Sequence, residues 1–379
     1  MAGRGVEVHA VSPYVSQKRQ ADGVWLHPVP RMRHLAHSIG AVCSMLNRGG
    51  DRFANGAAWR QRFEMSRYNR VIQSVLLSEN IDVIYSPFAW PFNTAGLHPA
   101  KACGVPVVVS LRGVDVLVEE SIGYGRMLNA TQRSQMSITL RGVDHVIGVS
   151  QALIDRGIAL GADPDHVSVV LKGVNLSQFG PDESLIARKR LALPERLTIL
   201  FVGNLIPRKG FALLLQAFAA VRRSVCNVQL VICGDGPEMK ALQTQIRELE
   251  IESSVIVAGR IGRDLIADYF RACDVFVLPS LTEGSGNVLV EAGACAKPLV
   301  GTDVAGIPDY IEDGVTGFLF QKGNAADLSQ KLLAILSNPR MARRMGVAAQ
   351  RGVEEKHTYD GMLDHLLDLF KQVVNEKQM

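Results

Sequence analysis

Short apolar runs rich in β-branched residues alternate along this chain with longer stretches whose apolar positions recur every three or four residues. Val6 to Ser12 (VEVHAVS), Trp25 to Pro30, and then 81–86, 105–111, 144–149 and 166–171 read as strands. Helices are expected near 38–47, 57–79, 94–102, 120–140 and 151–160. Lys172 to Glu183 (KGVNLSQFGPDE) interrupts the alternation with glycines, a proline and polar residues, and reads as an interdomain linker. A second series follows, with strands at 198–203, 228–233, 254–258 and 275–279 and helices at 209–225, 237–250 and 264–271. The helix from Lys209 carries Phe211, Leu214, Leu215, Phe218, Val221 and Val225 on one stripe, the pattern of a helix packed on a sheet. A last helix, about Tyr359 to Asn375, shows Leu363, Leu366, Leu367, Phe370 and Val374 on one face. Buried strands separated by helices predict two parallel, doubly wound α/β sheets with a cleft between them.

The stretch from Asp274 to Phe320 adds chemistry to this pattern. The strand-like run Val275 to Pro279 leads into a glycine-containing loop, Ser280 to Gly286, and then a helix from about Asn287 to Ala296. Strand, glycine loop and helix aim unpaired backbone N–H groups and a positive helix end at an anion. Glu283 in the loop and Glu291, eight positions later in the helix, are carboxylates beside that anion site. Carboxylates repel phosphate but accept hydrogen bonds from sugar hydroxyls, so the combination points to a sugar nucleotide.

With 379 residues, the chain has room for two or three domains. Its 47% hydrophobic and 21% charged content is that of a globular protein, and a net charge of +4 does not imply nucleic acid. The six cysteines (43, 103, 226, 233, 273 and 295) form no CxxC pair and sit mostly in apolar runs, which suits buried thiols in a reducing cytosol. No apolar run reaches the roughly 18 residues of a membrane span, and no signal peptide precedes the first strand. A cytoplasmic location is therefore expected. The stretch 31–70, with eight arginines against Asp51 and Glu64, is either a solvated face or a peripheral contact with anionic membrane on the cytoplasmic side.

The segment EGSGNVLVEA, with seven residues between its glutamates, resembles the signature of family-4 glycosyltransferases, retaining enzymes with the GT-B fold. The likeness continues through GTDVAGIPDYIEDGVTGFLF and includes FVGNLIPRKG at 201–210, GDGPE at 234–238 and KGVN at 172–175. It implies two Rossmann-like domains facing across a cleft: 1–175 on the acceptor side, joined by the returning helix 359–379, and 176–358 binding a nucleotide-diphosphate sugar. Members usually open with a strand, a Gly-Gly loop and a helix before a segment like GRGVEVHAVSP, so the first domain here is expected to be shortened at its start.

The resemblance also assigns roles, residue by residue. Lys209 matches the lysine of the donor diphosphate; Asn204 stands where an arginine is usual, and Arg208 is the candidate to supply that charge. Glu291 matches the ribose-binding glutamate, and Glu283 the acid near the 3- and 4-hydroxyls of the transferred sugar. Gly284, Ser285, Gly286 and Asn287 are expected to offer backbone N–H groups, with Gly286 in a position where proline is common. Arg260 falls in the segment that reads the nucleobase, and Gly234 is either a structural turn or a ligand contact. In SLRGVDV (110–116) Arg112 takes the place of a frequent histidine; it either contacts an anionic donor or acceptor, or pairs with Asp115 to hold the fold. The group that carries the chemistry is then Glu283, Lys209 and Arg112, with no protein nucleophile or general base named. The implied enzyme is a metal-independent hexosyltransferase without a cofactor, its acceptor a glycan or lipid-linked glycan of polysaccharide or cell-envelope synthesis. A nucleotide-sugar-binding protein with weak or no transfer is the rival reading, and a GT-B epimerase a more distant third.

Two weaker signals are set aside. Asp163-Pro164-Asp165 spells a metal motif of another transferase fold but lies in a turn, and His34 with His37 lacks a third ligand.

Overall fold

A computed structural model describes residues 5–12, 17–28, 56–89, 93–181 and 184–379. In the first half the elements are β1 (Val8–Ser12), β2 (Arg19–Ala21), β3 (Val24–Pro28), α1 (Gly56–Ser78), β4 (Ile84–Ser86), α2 (Asn93–Cys103), β5 (Val107–Leu111), α3 (Ala130–Gly142), β6 (His145–Gly148), α4 (Gln151–Ala159) and β7 (Val167–Val169). After α5 (Ser184–Arg190) come β8 (Leu197–Val202), α6 (Phe211–Ser224), β9 (Val228–Cys233), α7 (Met239–Glu248), β10 (Val255–Gly259), α8 (Ile266–Ala272), β11 (Val275–Leu278), α9 (Asn287–Ala294), β12 (Leu299–Thr302) and β13 (Gly317–Phe320). Three helices close the chain: α10 (Ala325–Leu336), α11 (Pro339–Lys356) and α12 (Tyr359–Gln378). The helix expected at 38–47, the His34–His37 pair and most of the arginine-rich stretch lie outside the described residues.

The second half is one six-stranded sheet in the order β10-β9-β8-β11-β12-β13, parallel throughout. Its strands alternate between two cores: Ile199 and Phe201 of β8 face the layer of α6 and α10, while Leu200 faces the layer of α8 and α9. Both faces are covered, which is why these strands read as continuous apolar runs. The four-stranded sheet β4-β5-β6-β7 is also parallel. Val107, Val109 and Leu111 point to one side of it; Val108, Ile147 and Val170 are covered on the other by Leu366, Leu369, Phe370 and Val373 of α12. The buried stripe of α12 keeps Leu366 and Phe370 from the expected face but uses Leu369 and Val373 rather than Leu363, Leu367 and Val374.

Several expectations are corrected. The first half was expected to hold a single sheet; among the described residues β1, β3 and β2 form a separate one, with β1 parallel and β2 antiparallel to β3. The turn at Asp22-Gly23, with φ of 49° and 75°, reverses the chain and places β2 on the far side of β3 from β1. The helix expected over 120–140 begins only at Ala130, after two 3-10 turns at Glu120–Ile122 and Arg126–Leu128. Gly123 and Gly125 separate those turns at φ of 60° and 119°, and a Cβ on Gly125 would fall 2.3 Å from the Leu117 carbonyl. Strands β12 and β13 and helices α5, α10 and α11 were not anticipated.

The chain crosses between the halves at two adjacent places. Val174 N–H donates to His357 O at 2.9 Å and Tyr359 N–H to Val174 O at 3.0 Å, so the linker and the start of α12 run side by side as a one-bridge ladder. Gly173 is required there, since a Cβ would lie 2.4 Å from the Thr358 carbonyl.

Candidate active site

The loops that leave β8 and β11 build the floor of the site. After β8 the chain makes a 3-10 turn, Pro207–Lys209, and then reaches α6 through Gly210 at φ 67°. A Cβ on Gly210 would lie 1.9 Å from the Pro279 carbonyl, so only glycine lets these two loops meet. Lys209 therefore does not open the helix, as the spacing suggested; it sits in the tight turn before it, held beside the loop after β11. Arg208 O accepts from Leu281 N–H at 2.8 Å and ties the two loops together.

Three expected residues converge here. Lys209 Nζ donates to Glu283 Oε2 at 2.5 Å, Arg208 Nη1 approaches Oε1 at 3.4 Å, and Ser280 Oγ donates to Oε2 at 3.3 Å. All three charged side chains are largely buried, which strengthens the attraction between them. The guanidinium of Arg208 also stands 5.3 Å from the ring centre of Tyr124, a residue of the first half. The Glu283 backbone is pinned by Gly306 N–H at 3.0 Å.

Glu291 differs sharply. It lies on the second turn of α9, half-buried, and burial pushes its carboxyl up to about 7. No described residue hydrogen-bonds its carboxyl. Gly286 caps α9, its carbonyl accepting from Leu289 and Val290 N–H, while Ser285 Oγ donates to Asn287 Oδ1 at 3.2 Å.

The opposite wall comes from the loop after β5. A Cβ on Gly284 would meet Arg112 O at 2.5 Å and Gly113 Cα at 2.9 Å, so the two loops touch backbone to backbone. Arg112 Nη2 donates to Tyr85 Oη at 3.1 Å, its guanidinium lies 5.9 Å from the Phe88 ring centre, and its Nε is buried without a partner. Asp115 is fully buried; one oxygen accepts from Arg112 backbone N–H at 3.0 Å, the other has no partner, and burial pushes its carboxyl up to about 6. The pairing expected between Arg112 and Asp115 is thus a cap on the backbone; no ion pair joins the side chains. Further contacts between the halves are Gln151 N–H to Asp309 Oδ2 at 2.8 Å, Tyr310 Oη to Val149 O at 3.1 Å, and the Lys322–Glu119 ion pair.

The remaining expected residues are more peripheral. Asn204 and Arg260 are exposed. Gly234 packs against the neighbouring loop, where a Cβ would lie 1.9 Å from the Gly203 carbonyl, and so has a structural reason to be glycine. Asp163 caps its own turn by accepting from Asp165 N–H at 3.1 Å and pairs with His166. Among the described residues the grouping with metal-ligand geometry is His9, His27 and Glu79, on β1, β3 and just beyond α1, where Lys18 already holds Glu79 at 2.5 Å.

Residues 1–178 match the family model described as Glycosyltransferase Family 4, and 183–352 that of the group 1 glycosyl transferases. Alpha-maltose-1-phosphate synthase of Mycolicibacterium smegmatis is 30% identical over 78% of this chain and 80% of its own length. The chain belongs to the family-4 glycosyltransferases. D-inositol 3-phosphate glycosyltransferase of Thermobifida fusca is also 30% identical, over 78% of this chain and 71% of that one. Among solved structures, sucrose-phosphate synthase of Thermosynechococcus elongatus superposes with a TM-score of 0.78 at 18% identity, covering 99% of this chain and 91% of that chain. Anabaena HepE in complex with UDP gives 0.72 at 22%, covering 81% and 82%. The architecture is GT-B, two Rossmann-like domains.

In this glycosyltransferase the sequence singled out Glu283, Lys209, Arg208 and Arg112, and the structure brings them to adjoining loops. It missed Tyr85, Tyr124, Tyr310 and Lys172. Lys172 had a signal, since it opens the KGVN segment, but a lysine in a polar, glycine-bearing linker reads as solvated.

Proposed function

We propose that the protein transfers a sugar from a nucleotide-diphosphate sugar to a glycan or lipid-linked acceptor, with retention of anomeric configuration and without a metal ion. The observation that carries this reading is the placement of two cations, Lys209 and Arg208, around Glu283, with the partnerless carboxyl of Glu291 eight positions further on. Lys209 and Arg208 supply the positive charge that a leaving diphosphate requires, and they do so from a largely buried setting fixed before the reaction. Glu291, half-buried and with no described residue bonded to its carboxyl, suits the ribose hydroxyls; Glu283 suits the hydroxyls of the sugar. HepE was solved with UDP and with UDP-glucose, which supports a nucleotide-sugar donor here.

In the step we envisage, the bond from sugar C1 to the β-phosphate oxygen breaks with its electron pair passing to that oxygen. The acceptor oxygen bonds C1 from the same face, and its proton passes to the departing phosphate. Glu283 has both oxygens engaged by cations and so serves binding better than attack. Residues 1–175 would present the acceptor and 176–358 the donor, in polysaccharide or cell-envelope synthesis. Titration of the protein with a panel of nucleotide sugars, followed by transfer assays with EDTA and NMR of the anomeric product, tests the proposal. Donor-dependent transfer that survives EDTA and keeps the anomeric configuration is expected. Binding without turnover across the acceptor panel, or an inverted product, would overturn it.

A further inference from the structure

Across the donor loop from Lys209 lies a second pair of cations, Arg112 and Lys172. They follow strands of the same parallel sheet: Arg112 comes directly after β5, and Lys172 three residues after β7. The carboxyl ends of parallel strands are where open α/β sheets hold their ligands. Both residues are tied to the 284–286 loop. Arg112 O abuts Gly284, where a Cβ would come within 2.5 Å. Lys172 N–H approaches Tyr310 Oη at 3.4 Å, and the Tyr310 ring stands 3.2 Å from where a Cβ on Gly286 would lie.

Among the described residues no carboxylate lies within ion-pair distance of Arg112 or Lys172. Asp115 accepts from the Arg112 backbone, Arg112 Nη2 donates to the neutral Tyr85 Oη, Arg112 Nε is buried without a partner, and no described residue hydrogen-bonds the Lys172 ammonium. Both side chains are half-buried. Burial, and then the charge of Arg112, push the Lys172 ammonium down to about 8. Two neighbouring cations withdrawn from water without an acid between them destabilise each other, and an anion between them removes that cost. A guanidinium beside an ammonium is the donor set for a carboxylate or a phosphate.

We propose that Arg112 and Lys172 form a subsite for a carboxylate or phosphate group carried by the substrate, separate from the donor diphosphate. The inference rests on the transferase reading of the cleft and adds the substrate class: the transferred sugar is a uronic acid, or the acceptor is an anionic sugar. Equilibrium titration separates the two sources. In the donor arm, UDP-glucuronic acid is compared with UDP-glucose; in the acceptor arm, glucose 6-phosphate is compared with glucose, with and without UDP. The wild type should prefer the anionic ligand at least about tenfold in one arm, as expected for charge-assisted contacts. Lys172→Met and Arg112→Gln should each reduce that preference to about twofold or less, and Arg112→Lys should restore part of it.

The melting midpoint of Lys172→Met should hold or rise, because an uncompensated cation is removed. A marked fall would give Lys172 a purely structural role and overturn the proposal, as would equal affinity within each pair in both arms. A protein that binds UDP but shows no preference defeats the subsite alone. One that binds no nucleotide sugar of the wider panel defeats the functional reading, while the UDP-free acceptor arm still decides the subsite.

Discussion

Two pairs of basic residues adjoin the 280–286 loop, and they are built on opposite principles. Arg208 and Lys209, on the donor side, share one carboxylate, with Lys209 Nζ 2.5 Å from Glu283. Arg112 and Lys172, on the other side, share none among the described residues. The first pair is held in position by the protein itself, so its geometry exists before any substrate arrives. The charges of the second pair oppose each other, and a bound anion would relieve them. Stability and recognition would therefore coincide on the proposed donor side and conflict on the other.

The largest effect is expected from breaking the compensated pair at its cation. Lys209→Ala should lower turnover by roughly 100- to 1000-fold, the range for removing one preorganised donor to developing charge. It should weaken the nucleoside-diphosphate sugar far more than the free nucleoside; equal losses in titration would remove Lys209 from the diphosphate. Next comes Glu283→Gln, which strands two largely buried cations. A loss of about 3 kcal/mol in denaturant unfolding is expected, near the low end for one-sided disruption of a buried pair. An unchanged unfolding midpoint would show that Glu283 does not compensate them.

Glu291→Gln should weaken donor binding about tenfold, one pKa unit's worth of interaction. The wild type adds a pH signature. Its carboxyl is raised to about 7, and hydroxyl donors bind the ionised form, so donor affinity should strengthen between about pH 6 and 8. The Gln variant should lack that component, and parallel pH profiles would exclude the role. The smallest effect belongs to the uncompensated pair. Because the Lys172 ammonium is lowered to about 8 from 10.5, the folded state releases its proton first, and stability gains a contribution as pH rises from 8 towards 10.5. Subtracting the Lys172→Met profile should reveal that rise; a flat difference would mean Lys172 is solvated.

The same contrast explains what the sequence disclosed. The cluster around Glu283 was legible because it is local: Arg208 and Lys209 are adjacent, and Glu283 and Glu291 share one strand-loop-helix unit. What the sequence could not show was that Gly210 lifts Lys209 off the helix, since that depends on the Pro279 carbonyl of another strand. Arg112 was found with two readings left open, an anion contact or a fold pairing with Asp115; Asp115 is near in sequence and caps its backbone, whereas Lys172 joins the same loops only once β5 and β7 lie in one sheet. Strands β12 (LVGT) and β13 (GFLF) are too short for periodicity to reveal. The expected helix over 120–140 failed at Gly123 and Gly125, whose backbone angles outweigh the helix-forming residues after them.

The paired crossings at Gly173–Val174 and His357–Tyr359 limit how this enzyme can breathe. Two covalent straps, laced to each other by hydrogen bonds, behave like the twin knuckles of a door. They allow the halves to swing, but resist one half gliding past the other, because gliding would have to tear Val174 from its partners. A bulky residue at Gly173 would push the Thr358 carbonyl away and part the two straps.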